Sequence, residues 1–130
     1  MTTFRDLLIA EGSNYEPNTR SSLDEWFSSI VDVPLDELDV GDVARAIRQD
    51  LFLVHVLPRA ESILRGDPLA GDDYDGQLIS SIASLNHKEA KGVLSSLKRI
   101  SHILNQVDKT TLDEQLLLDI KKIDNLSSCE

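Results

Sequence analysis

An all-α fold is what this 130-residue sequence predicts, and three observations predict it. Apolar residues recur with the 3.6-residue spacing of amphipathic helices. Capping residues stand three positions ahead of a glutamate at several helix starts, where both side chains can satisfy orphan amides. No alternating run of useful length occurs, and no hairpin dipeptide separates β-rich runs. The length suits one domain with its own core. A single compact domain of about six or seven helices over residues 1–130 is therefore expected.

Residues 3–11, TFRDLLIAE, read as a short helix that ends before the loop GSNYEPNTR. The next opens on the pair Ser22 and Glu25 and carries Leu23, Trp26, Phe27 and Ile30 on one face. Val33-Pro34 ends it, because a residue before proline is pushed out of the helical region. Asp39 then suits an N-cap, and Asp42 places a negative charge in the first turn of a helix. Val40, Val43, Ala44 and Ile47 form its stripe, which continues to Leu51. The run LFLVHVL reads as a new buried helix from about Leu51 to Arg65, with Pro58 kinking it or starting its second half.

Gly66 suits a helix C-cap, and the connector GDPLAGDDYDGQL (residues 66–78) follows. Leu78, Ile79, Ile82 and Leu85 face inward on the helix after it. Asn86 and Glu89 open one long helix over residues 86–107, with Ala90, Val93, Leu94, Leu97, Ile100, Ile103, Leu104 and Val107 along a single stripe. Thr111 and Glu114 form a third capping pair ahead of a last helix at about 112–126, with Leu112, Leu116, Ile120 and Ile123 aligned. The C-terminal helical pair thus covers about 86–126.

The balance of charge is acidic and uneven. The formal net charge is -10, and residues 1–75 hold sixteen acids against six bases, while residues 76–130 hold seven of each. Such a field repels nucleic-acid phosphates and anionic membranes and draws in basic partners. No segment reaches the roughly 20 apolar residues of a membrane span, and the N-terminus has no basic region ahead of an apolar run. A cytoplasmic location is expected, with neither nucleic acid nor membrane as a direct partner.

Chemistry finds little support. Cys129 is the lone cysteine and has no CxxC spacing. A calcium loop with Gly76 at its sixth position would set Asp73 and Asp75 third and fifth, yet Gly71 and Ile82 would occupy the first and twelfth, where carboxylates are required. Four carboxylates also exclude a phosphate cradle. His55, His87 and His102 share no metal-ligand spacing, and no serine stands in GxSxG. Lys88, Lys91, Lys98 and Arg99 lie on a helix without aromatics, which reads as a polar face rather than a nucleic-acid surface. No catalytic residue, cofactor or metal is expected, and the chain is not expected to be an enzyme.

The block PLDELDVGDVARAIRQDLFLVHVLPRAESILRGDPLAGDDYDGQLISSI (residues 34–82) carries a recognisable order of motifs. Pro34-Leu35, Leu38 and Asp42 begin it, and Gln49 closes its first helix. Leu57-Pro58 lies in the next, then Pro68-Leu69-Ala70, then Tyr74, Gly76 and Leu78. In this order and spacing the block resembles the immunity proteins of bacterial contact-dependent growth inhibition systems. Gln77 departs from the pattern, standing where an acid is common, and so does the serine-rich SSIASL.

The resemblance implies a small protein that binds and neutralises the C-terminal toxin domain delivered by a neighbouring cell, often a nuclease with a basic face. The residues expected to meet that domain are Asp36, Glu37, Asp39 and Asp42 at one helix start and Asp67, Asp72, Asp73, Tyr74 and Asp75 in the loop. The alternative reading is a helical adaptor or regulatory domain that binds a protein partner other than a toxin.

Overall fold

The computed structural model describes residues 2–12, 20–72 and 74–128. They are helical, with no strand among them. The elements are α1 (Phe4–Ala10), α2 (Ser22–Ile30), α3 (Val40–Arg48), α4 (Leu53–Gly66), α5 (Gln77–Ala83), α6 (His87–Lys91), α7 (Leu94–Leu104) and α8 (Glu114–Ser127). Short 3₁₀ turns occupy Leu35–Glu37 and Lys109–Thr111. No described helix is long and apolar enough to cross a membrane. Contacts divide the chain into two compact units, Met1–Asp39 and Val40–Glu130.

The first unit is built around Phe4, which is wholly buried. Its ring lies 5.5 Å from that of Phe27 on α2. Thr3 caps α1 in a reciprocal box with Asp6. The start of α1 is tied to the segment after α2 through Arg5 N–H to Val31 O (3.1 Å) and Leu35 N–H to Thr2 O (2.8 Å). The Arg5 guanidinium grips both Asp32 oxygens, at 2.6 and 3.2 Å. The N-cap of α2 is Ser21, which accepts from the Asp24 amide, so the expected box on Ser22 is displaced by one residue.

In the second unit the helix contacts close a circuit. α3 packs on α4 and α5, α4 on α7, α7 on α8, and α8 back on α5. Of the stripe residues, Ile47, Leu78, Ile82, Leu97, Ile100, Leu104 and Ile123 are buried, as are Leu57 and Leu64 on α4, while Leu94, Ile103 and Val107 are half-buried. Pro58 lies within α4, and the helix runs on through it. An interior proline costs roughly 3 kcal/mol. Each fully buried leucine returns roughly 1.5–3 kcal/mol, so Leu57 and Leu64 on the same helix outweigh it.

Several boundaries differ from expectation. The helix expected from about Leu51 begins at Leu53 and runs through Gly66, the expected C-cap, so that Asp67 caps it. The long helix of 86–107 is broken: α6 ends at Lys91, Gly92 caps it, and Val93 leaves the helical region at φ -134°, ψ 27° before α7 begins. Gly92 weakens the helix at that point, yet Ala90, Val93 and Leu97 are all buried. The apolar spacing therefore survives the break. The N-cap of α8 is Asp113, whose carboxylate accepts the Leu116 amide at 2.8 Å, while Thr111 ends the preceding 3₁₀ turn.

Candidate functional site

The connector between α4 and α5 is a folded-back loop. Asp67 opens it: its backbone carbonyl accepts from Ala70 N–H at 3.0 Å and its side chain accepts from Leu69 N–H at 3.2 Å. Ala70 is buried. Gly76 N–H then donates to Leu69 O (2.8 Å), and Leu78 N–H to Ala70 O (3.2 Å), so the two arms lie side by side. Gly71 is demanded by that close return. A Cβ there would stand 1.8 Å from the Tyr74 carbonyl oxygen.

Gln77 supplies a further tie, its side-chain oxygen accepting the Asp72 amide at 2.7 Å. A carboxylate would accept that bond equally well, so the departure at Gln77 preserves the contact.

The loop lies along α3. The Asp72 carboxylate rests on Gly41, where a Cβ would come within 2.9 Å of its Oδ2. A carboxylate at the first turn of a helix meets the positive end of the dipole. Asp42 occupies the same turn, so the structure brings Asp42 and Asp72 to one end of α3. At the other end, Arg48 donates to the Tyr74 hydroxyl (3.3 Å) and to Ser80 and Ser81 on α5 (3.3 and 3.0 Å). Tyr74 is nonetheless half exposed.

Asp67 is spent on its turn, whereas Asp75 is exposed and forms no ion pair with any described residue. Asp73 and Cys129 lie outside the described residues. Asp36 and Glu37, in the 3₁₀ turn, and Asp39 belong to the first unit and are exposed.

A feature invisible in the sequence lies at the turn between α3 and α4. Asp50 (φ 55°) and Phe52 (φ 45°) both adopt the left-handed region without being glycine, which is rare for a bulky residue such as phenylalanine. They border a groove of about 700 Å³ together with Val54, His55, Lys88 and Glu89. Burial raises the Asp50 carboxyl above its ordinary range, and the hydrogen bond and charge of Glu89 push it the same way. Asp50 and Glu89 are 39 positions apart, and nothing in the local pattern pairs them.

Among the described residues no group of three His, Cys, Asp or Glu side chains is arranged to hold a metal ion. Of the described loop carboxylates, that of Asp67 serves its own turn and that of Asp72 rests on Gly41. What the described residues offer is a hydrogen-bonded loop with Asp75 exposed and Tyr74 half exposed.

Comparison with known proteins gives one family. A model of CDI immunity proteins matches residues 9–100. No curated protein matches the chain.

Proposed function

The chain belongs to the family of CDI immunity proteins, and from that premise we propose that it neutralises a toxin domain of nuclease type by binding it through an acidic surface. The observation that carries the reading is the packing of the described loop residues, 67–72 and 74–78, on α3. It fixes Asp72 and Asp42 at one helix end and leaves Asp75 and half of Tyr74 open to a partner.

The chemistry follows from charge and order. A nuclease carries lysines and arginines for phosphate, and carboxylates presented on a fixed backbone can meet them without first paying the entropy of loop ordering. The acidic surplus of residues 1–75 steers encounter, with Asp36, Glu37 and Asp39 adding to it. Tyr74 supplies contact area, as tyrosine does at the centres of many interfaces. The protein acts by occupancy, with no catalytic step of its own, and works in the cytoplasm, where a delivered toxin reaches its nucleic-acid substrate.

Co-expression with the toxin domain encoded upstream tests this. Rescue of growth and a stable complex on gel filtration are expected. Absence of both overturns the reading. Raising salt is expected to slow association much more than it speeds dissociation.

A further inference from the structure

We propose that the groove between α4 and α7, lined by Arg65, Lys98, Arg99 and His102, is a second docking point for the toxin domain and receives carboxylate side chains from an acidic segment of it. This inference rests on the toxin-binding reading above.

The groove has a volume of about 450 Å³ and is completed by Ile103 and Gln106. In a chain of net charge -10, its walls carry three permanent cations. The acid among them is Glu61, whose side chain is only 7% exposed. Arg65 donates to it at 2.6 Å, and Arg99 Nε reaches both of its oxygens at 3.0 Å. One buried carboxylate thus holds two guanidiniums, and the cluster keeps an excess positive charge.

Glu61 also orders the cluster. It fixes the forks of Arg65 and Arg99 while leaving those side chains 62% and 49% exposed. Ser96 accepts a further bond from Arg99 at 3.3 Å. A guanidinium already held in place forms a bidentate contact with a second carboxylate at lower entropic cost.

Lys98 forms no ion pair with a described residue. With His102, one turn along, it also borders a neighbouring groove of about 530 Å³ that Ser101, Asn105, Ser127 and Ser128 complete. Two residues of that groove, Ser101 and Asn105, donate to the Asp124 carboxylate.

Charge selects the occupant. The net negative field of the whole chain opposes a polyanion such as nucleic acid, whose charge extends far beyond the groove. A few carboxylates on a folded protein present their charge locally, within about 8 Å of the cations at physiological salt. An acidic toxin segment satisfies the groove, and the acidic surface satisfies the toxin's basic face.

The test is binding of the full chain carrying Lys98→Glu and His102→Glu to the toxin domain, measured by kinetics at two salt concentrations. Both side chains are exposed, and Arg65, Arg99 and Glu61 stay in place. A loss of affinity of about tenfold, with Lys98→Arg close to wild type, is the expected result. Wild-type binding with less than a twofold effect of the double substitution overturns the groove but leaves the toxin-binding reading standing. Failure of wild type to bind the toxin overturns both. Sedimentation showing a wild-type dimer that the substitutions dissociate, or capture of a random RNA oligonucleotide that they abolish, assigns the groove to another occupant and overturns the proposal.

Discussion

Leu116 of α8 lies against Gly76 at the end of the loop, so close that a Cβ on the glycine would stand 2.3 Å from its Cδ2. Gly76 also holds φ at 84°, a left-handed conformation that glycine adopts without steric cost. One residue therefore closes the loop, starts α5 and admits α8.

Replacing it joins two penalties. Gly76→Ala is expected to lose about 2–4 kcal/mol of stability, from backbone strain together with overpacking against Leu116. Urea denaturation followed by far-ultraviolet circular dichroism measures this. The pair Gly76→Ala with Leu116→Ala is expected to lose less than the sum of the two single substitutions, because the clash is removed while the strain and the lost leucine burial remain.

The Asp50 carboxyl is raised in the folded protein, so the native state binds its proton more tightly than the unfolded chain does. The stability linked to that proton is fully present below the unfolded value and is lost as pH rises through the folded one. At neutral pH the charged pair with Glu89 is a cost. Asp50→Asn keeps a residue type suited to the left-handed region and removes the repulsion. It is expected to raise the urea midpoint at about pH 7, with the gain shrinking toward about pH 4.

Asp32 behaves in the opposite sense. The hydrogen bond from Arg5 holds its carboxyl below the ordinary range, and the guanidinium charge adds to that. The stability linked to this pair is present above the unfolded value and is lost as pH falls through the folded one. Asp32→Asn is expected to lower the thermal midpoint at neutral pH. It is expected to leave the midpoint unchanged once acid has protonated the wild-type carboxyl.

Glu61 is buried between two arginines that remain partly in water. Glu61→Gln keeps its volume but removes the charge that orders both forks. A loss of about 1–3 kcal/mol is expected, measured by chemical denaturation. Glu61→Leu is expected to cost less than a simple sum of two bonds, since the freed guanidiniums can turn into solvent.

Much of this arrangement is legible in the sequence. The stripe through Val43, Ala44 and Ile47 marks the buried face of α3, and that through Leu97, Ile100 and Leu104 marks α7. Gly66, Pro68 and Gly76 mark the connector. The break at Gly92 was hidden because the apolar spacing from Ala90 to Val93 to Leu97 runs across it unbroken. A periodic pattern records which residues turn inward, and it does not record whether the amides between them stay bonded.

The site divides in the same way. Asp75 could be read as an exposed charge from its neighbours alone. That Asp72 rests on Gly41, that Tyr74 meets Arg48, and that Asp50 faces Glu89 depend on helices brought together over 26 to 39 positions. Local pattern carries no information on such pairs. Glu61 shows the limit most clearly: an acid on a helix reads as solvated, and only the approach of Arg99 from α7 permits its burial.

Among the described residues, the hydrogen bonds that fold the loop back are made by main-chain groups and by the side chains of Asp67 and Gln77. Asp75 contributes none of them. Its side chain can change without altering the described frame that presents it, so a substitution at this position separates the charge of the loop from its fold.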